Sequence, residues 1–425
     1  MRSLPLPFRL AVPVGTVLTA LATVMLSATP SAAYSSKYSE VTLLGRSGIS
    51  ATDYQPGPVS GTALDKTTVN GVTPPFDGQP IPGFSAAITA TPGDRSGRRL
   101  LAMPDNGFGT KANSADFLLR AYYVRPHYRT GPSRTPGLGK TSIDGFLSFR
   151  DPDRKIPFPI VNGSTKDRLL TGADFDIESL QRDAQGNLWI GDEFGPYLVK
   201  VDKTGKVLQA PIPLADGTKS PQSPDLKAGE TPSLGASNGF EAMAISSDGR
   251  KLYPILEGPK VADTDKARRV VYEFDVRANK YTGKTWSINV SAVGNVVADA
   301  QVLDGRRIAW LERDNFEGAE AKVKKIQIAD LDTADSTGAV KSTTIADLLR
   351  IADPRRISTP ARTGEFGVGP TFAFPFQSVE TILPLTGERV FVTNDNNFPG
   401  NDGRITGKAD DVELIQIVVP GLRKH

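Results

Sequence analysis

Along most of the chain the apolar residues come in short runs or alternate with polar ones, and Gly, Asp, Asn and Pro interrupt them every few positions. Long helical periodicity is missing, so the pattern predicts short strands joined by tight turns. The clearest stretch begins at Asp176. Ile177 to Arg182 reads as a strand, Asp183-Ala184-Gln185-Gly186-Asn187 as a turn and Leu188 to Ile190 as a second strand. Tyr197 to Asp202 supplies a third, and Val207-Leu208, after Lys203-Thr204-Gly205, a fourth. Four antiparallel strands so close in sequence make one sheet.

The same order returns. A second copy runs through Phe240 to Ser246, Leu252 to Leu256 and Val270 to Val276, and a third through Ala298 to Leu303, Arg307 to Leu311 and Val323 to Ile328. A fourth uses Ser378 to Leu385, Val390 to Thr393 and Val412 to Val419, and a looser early copy uses Phe84 to Thr89, Leu100 to Met103 and Phe117 to Val124. Repetition of a four-stranded unit predicts an all-β fold, a β-propeller. At about 40 to 60 residues per blade the length allows roughly six to nine blades. The long insertions favour six, with Val41 to Leu44 helping to complete the last. Pro126 to Gly139 and Pro211 to Gly235 read as surface loops, so residues 34–425 are expected to form one propeller domain.

Residues 1–33 stand apart. Arg2 and Arg9 precede an apolar stretch from Leu10 to Leu26, and Ser31-Ala32-Ala33 is a small-x-small cleavage pattern, so a cleaved signal peptide and a secreted, extracellular protein are expected. No second apolar span follows, which argues against a membrane anchor. Leu383-Pro384-Leu385-Thr386-Gly387 has the form of a cell-wall sorting signal, but charged residues follow it directly, so it reads as a strand ending in a turn.

Composition narrows the chemistry. The chain has no Cys and 2 His, which removes thiolate metal sites, disulfides and catalytic cysteine and leaves little for histidine-based catalysis. No G-x-S-x-G elbow is present. Its formal charge of +3 falls to +1 without Arg2 and Arg9, and nothing points to a nucleic-acid partner. The protein is expected to be a monomer acting on a small anionic or ester substrate.

Acidic residues recur at matching phase in the copies, one near the start of the first strand and others at the end of the next. The pairs are Glu178 with Asp192 and Glu193, Glu241 with Glu257, Asp299 with Glu312 and Asp314, and Glu380 with Asp395; in the early copy Ser85 is followed by Asp105 and Asn106. In a hairpin these positions lie at the same end of the sheet, so a ring of sheets brings about eight carboxylates to one mouth of the channel. Like charges that close favour protonation or a bound cation. Oxygen ligands alone suit Ca²⁺ best, with another divalent cation as the alternative. Asp105, Asp192, Glu193, Glu257, Asp314 and Asp395 are candidate metal ligands, and Glu178, Glu241, Glu312 and Glu380 candidate catalytic bases. Arg313 could clamp a phosphate or balance neighbouring acids, and Asn106, Asn394 and Asn396 could bind substrate.

Asp176-Ile177-Glu178-Ser179-Leu180, Gly191-Asp192-Glu193-Phe194-Gly195-Pro196, Asn238-Gly239-Phe240-Glu241, Leu311-Glu312-Arg313-Asp314 and Asn394-Asp395-Asn396-Asn397-Phe398 together resemble the phytase-like family of exported proteins. Gly83-Phe84-Ser85-Ala86 with Met103-Pro104-Asp105-Asn106-Gly107 resembles its first motif. The resemblance runs from about Gly83 to Phe398. It implies a secreted propeller with recurrent functional Glu and Asp, and an esterase-like activity. Asn106 stands where that family often has arginine, and Ser179 and Ala242 where it often has glycine. The expected function is metal-dependent hydrolysis of phosphate esters or related esters, the alternatives being a lactonase-like hydrolase or a non-catalytic module for a glycan, sugar phosphate or protein.

Overall fold

Turn chemistry sets the architecture. The Asp183 carboxylate accepts hydrogen bonds from the backbone N–H groups of Gln185 and Asn187 and from Trp189 Nε1, so one side chain closes the hairpin and ties it to the next strand. Asp202 and Asp335 close turns in the same way. The computed structural model describes residues 38–423, and the expected leader lies outside them.

Strand β1 (Thr42–Ile49) comes first and is followed by a meander of β2 (Ala86–Thr89), β3 (Leu100–Met103), β4 (Arg120–Pro126) and β5 (Gly139–Ser148). The second sheet holds β6 (Ile177–Arg182), β7 (Leu188–Asp192), β8 (Tyr197–Val201) and β9 (Ile212–Pro213). The third holds β10 (Phe240–Ile245), β11 (Lys251–Leu256), β12 (Arg268–Asp275) and β13 (Lys280–Asn289), and the fourth β14 (Val296–Asp304), β15 (Arg307–Arg313), β16 (Lys324–Asp330) and β17 (Ser342–Asp347). After a two-residue ladder of β18 (Ile351–Ala352) and β19 (Thr371–Phe372), the last meander has β20 (Ser378–Pro384), β21 (Arg389–Asp395) and β22 (Val412–Val418).

The fourth strand of that last sheet is β1, which pairs antiparallel with β22 from Thr42↔Val418 to Ile49↔Val412. The first strands β2, β6, β10, β14 and β20 each pack against the next, and β20 returns to β2. The result is a β-propeller whose ring is closed by joining the two ends of the chain.

Five radial sheets are therefore present among the described residues, not the expected six. Val41–Leu44 lies in and beside the closing strand instead of founding a sheet. The residues between β17 and β20, which inflated the length per blade, make only the short β18–β19 ladder and a parallel bridge from β18 to β1.

Apolar faces of neighbouring sheets form the core. Ala242, Tyr253, Ile255 and Val271 pack with Val297, Ala300, Ile308 and Trp310, and Leu311, Ile326 and Ile328 pack with Val379, Ile382 and Val392. Gln181 Nε2 donates to Met243 O of the next sheet at 2.6 Å and, across the channel, to Gln301 Oε1 at 3.3 Å, so the second bond links sheets that are not neighbours. No helix among the described residues is long and apolar enough to cross a membrane.

Candidate functional site

A repeated irregularity aims the acids. In three first strands the ladder slips by one residue, and the residue left out is a glutamate: Glu178 between Ile177 and Ser179, Glu241 between Phe240 and Ala242, and Glu380 between Val379 and Thr381. Such a bulge leaves its residue unpaired and re-aims its side chain. In the fourth sheet the slip falls on Ala298, between Val297 and Asp299. Counting two residues beyond the partner of the residue after each slip gives Glu193, Glu257, Arg313 and Asp395, and the same count from Ala86↔Met103 gives Asp105. Each sheet thus presents two positions to one mouth. They are Ser85 and Asp105, Glu178 and Glu193, Glu241 and Glu257, Ala298 and Arg313, and Glu380 and Asp395. Asp176, two residues before Glu178, adds another carboxylate.

These groups meet. One oxygen from each of Asp105, Asp176 and Glu178 lies within 4.8 Å of the others, and the same holds for Glu178, Glu193 and Glu241. Arg313 Nη2 is 3.0 Å from Glu380 Oε1 and 3.8 Å from Glu241 Oε1 and Glu257 Oε1. Eight carboxylates, those of Asp105, Asp176, Glu178, Glu193, Glu241, Glu257, Glu380 and Asp395, thus gather at one mouth, three of them within 4 Å of the Arg313 guanidinium. Glu178, Glu193 and Glu241 are only 6%, 4% and 3% exposed.

Glycine permits this closeness. Gly83 at φ 145° lies so near Asp395 that a Cβ would sit 2.2 Å from its Cα, and a Cβ on Gly239 would meet Glu193 O at 2.4 Å. Asp192 holds the Asp192–Gly195 turn by accepting from Asp176 N at 2.9 Å and Gly195 N at 2.6 Å.

Burial, followed by carboxylate repulsion, dictates the protonation. Asp105 is pushed up to about 7 by burial, with Glu380 adding to the rise. Glu178, raised by burial and then by Glu241, stands well above the carboxylate range, as do Glu193, raised by burial and Glu257, and Asp176, raised by burial and Asp105. Burial alone would lower the Arg313 guanidinium, but Glu380, Glu241 and Glu257 outweigh it and raise its affinity for the proton.

Unsatisfied atoms mark the same place. Asp176 Oδ1, Glu193 Oε1, Ser85 Oγ and Arg313 Nε are buried without a hydrogen-bond partner. Buried polar atoms are ordinarily paired, so the three orphan oxygens and the all-oxygen donor set around them fit a hard divalent cation, whereas Arg313 Nε, a donor, does not count towards it.

Other sequence candidates are engaged elsewhere. Glu312 alternates with Arg313 along β15 and faces away; it accepts from Ser291 N and Oγ, Asn295 Nδ2 and Gln327 Nε2. Asp314 is bound by Lys324 Nζ at 2.7 Å and by the N–H groups of Lys322 and Val323. Asp299 follows the slip instead of occupying it, and its carboxylate accepts from Ile382 N and Ala300 N. The three asparagines serve the backbone: Asn106 accepts from Gly109 N, Asn394 accepts from Glu413 N, and Asn396 donates to Asp410 O. Arg313 balances acids, but those of other sheets and not its chain neighbours. Asp192 borders the cluster as a turn clasp, pushed by burial to about 7.

Sequence reasoning left two residues unassigned. Asp176 shares the Glu178 face by two-residue spacing, a signal available in Asp-Ile-Glu. Lys111 lies in a loop with no motif; its Nζ stands 4.6 Å from the Phe194 ring centre and donates to Gln222 O.

The family model described as esterase-like activity of phytase matches residues 79–398, which spans the paired positions of every sheet. The chain belongs to the phytase-like family. An uncharacterized secreted protein from Arthroderma benhamiae is 32% identical over 130 residues, with 25% of each chain covered, so the match spans about a quarter of that relative's length. Among solved structures, a protein from Lactobacillus plantarum aligns over 82% of this chain and 73% of its own at 12% identity and a TM-score of 0.33. A luciferin-regenerating enzyme aligns over 90% and 95% at 11% and 0.36. The PQQ-bound aldose sugar dehydrogenase from Streptomyces coelicolor aligns over 89% and 98% at 12% and 0.32.

Proposed function

We propose that this phytase-like protein is a secreted, divalent-cation-dependent hydrolase of phosphate esters or related esters, with its site at the acidic mouth of the propeller. The reading is carried by one observation: eight converging carboxylates with a single guanidinium among them, two of whose buried oxygens, Asp176 Oδ1 and Glu193 Oε1, have no partner. Family membership over most of the chain supports the ester class. The secreted relative and the leader pattern support export.

Asp105, Asp176, Glu178, Glu193 and Glu241 are the residues that would hold the cation, with Ca²⁺ the ion the oxygen donors suit best. A bound ion would supply the positive charge that an anionic substrate needs at an acidic mouth. Arg313 holds Glu380 and Glu241 in place and limits their repulsion. Glu380, one of three mouth carboxylates outside both three-acid groups, is the one we assign to take a proton from attacking water.

Deep burial favours a second reading, an ion that braces a non-catalytic binding module. Assays of the purified protein against p-nitrophenyl phosphate, bis-p-nitrophenyl phosphate, phytate, simple esters and lactones, with and without chelator, separate the two. Turnover that EDTA abolishes and Ca²⁺ restores is expected. Ion binding and thermal stabilisation with no turnover of any substrate would leave the bracing role alone.

A further inference from the structure

The opposite mouth of the channel opens into a cavity of about 630 Å³ among the β2–β3, β6–β7 and β10–β11 turns and the ends of β14 and β20. Its floor is the Gln181–Gln301 pair, which separates it from the acids. Arg95, Arg182 and Arg423 stand in its wall.

None of these guanidiniums has a carboxylate partner. Arg182 Nη1 donates to Thr89 O, and Arg423 donates to Gly387 O and Leu385 O. The Arg95 side chain makes no bond within the protein, and its charge is felt at Arg423, whose affinity for the proton is lowered by burial and then by Arg95. The acids at this rim are already engaged. Asp183 closes its own turn, holds Trp189 and lies 4.0 Å from Lys200, while Asp248 is bound by Ser246 and Arg250. Asp304, which also acts on Arg423, is held by Arg307 at 2.5 Å.

Three cations facing one cavity with no carboxylate in ion-pair contact call for an anion. A phosphate group accepts from guanidiniums in several directions, whereas a planar carboxylate is satisfied by one fork. The volume leaves room behind it for a ring-sized polar group, which the floor amides can hydrogen-bond. We propose that this cavity is a second binding site, for a small phosphate monoester, with its phosphate on Arg95, Arg182 and Arg423 and its hydroxyl-bearing part towards Gln181 and Gln301.

Calorimetric titration of the full protein with glucose 6-phosphate and with inorganic phosphate, in EDTA, tests this. Saturable binding is expected, tighter for the sugar phosphate and about tenfold or more weaker in each of Arg95→Gln, Arg182→Gln and Arg423→Gln. Arg95 is exposed and bonds Thr386 only through its backbone carbonyl, so Arg95→Gln keeps the fold, and melting temperatures control the other two. No binding at millimolar ligand in EDTA, or affinity unchanged in all three variants, would overturn the proposal. Inorganic phosphate binding as tightly as the ester would overturn the role given to the floor.

Discussion

Two neighbouring residues on β15 show how much one step along a strand decides. Arg313 reaches Glu380, Glu241 and Glu257, while Glu312 serves Ser291, Asn295 and Gln327 on the other face. Glu312→Ala is expected to cost about 1–3 kcal/mol by leaving those donors unpaired, with Ca²⁺ affinity in calorimetry unchanged. Glu178→Gln should do the reverse. It removes a carboxylate common to both three-acid groups, so ion affinity and turnover should fall at least tenfold, while the metal-free protein melts no lower, because an uncharged amide replaces a carboxyl whose ionisation is opposed by burial and by Glu241. Equal ion affinity in Glu178→Gln and wild type would remove Glu178 from the site. Amino-acid type alone could not separate these two glutamates. Each stands at a strand end among acids, and the difference lies in which face the local register selects.

At the scale of elements, strands and hairpins were legible because Asp-x-x-Gly turns and alternating runs are local signals, as in Asp183–Gly186. The slips at Glu178, Glu241 and Glu380 were not, since a bulge depends on the partner strand and leaves no mark on its own residue. That hid the offset in the fourth sheet and made Asp299 look like a member of the ring. The closing strand carries a different chemistry. Arg46 on β1 is buried between Glu413 on β22, at 2.7 Å, and Glu365, at 2.6 Å, and Arg404 binds Glu413 at 2.9 Å. Burial alone would raise the Glu413 carboxyl, but Arg404 and Arg46 outweigh it and bring it down to about 2. A depressed folded value stabilises above the unfolded value near ~4.3 and is lost as pH falls towards 2. Glu413→Gln should therefore destabilise by about 3–5 kcal/mol at neutral pH and flatten the acid side of the stability curve. Denaturant titrations from pH 2 to 7 measure both.

For the whole molecule, the recurrence of strand pattern made the propeller readable and the acid phase made the shared mouth readable. The blade number was not, because loops and strands add equally to length. Convergence of the carboxylates sets the behaviour of the metal-free protein with pH. Asp105, raised to about 7, and Asp299, raised by burial to about 8, bind protons more tightly folded than unfolded. Their contribution is complete below the unfolded value near ~3.9 and declines as pH rises through the folded values. The metal-free melting temperature should fall between pH 5 and pH 8. Ca²⁺ at a hundredfold excess over its dissociation constant should restore about 2.7 kcal/mol, with tighter binding at pH 8, above the value of about 7 for Asp105, than at pH 5. A flat melting profile that Ca²⁺ leaves untouched would contradict this account.

The pairing of β1 with β22 has an effect on biogenesis. Before β22 is made, the only strands β1 can pair with are β5 and β18, in short parallel pairings, so a chain cut short of β22 lacks the ladder that completes the circle. Until then most of β1 is an open edge, available to another copy. For the exported protein proposed above, that delay keeps the chain threadable until its synthesis is nearly over.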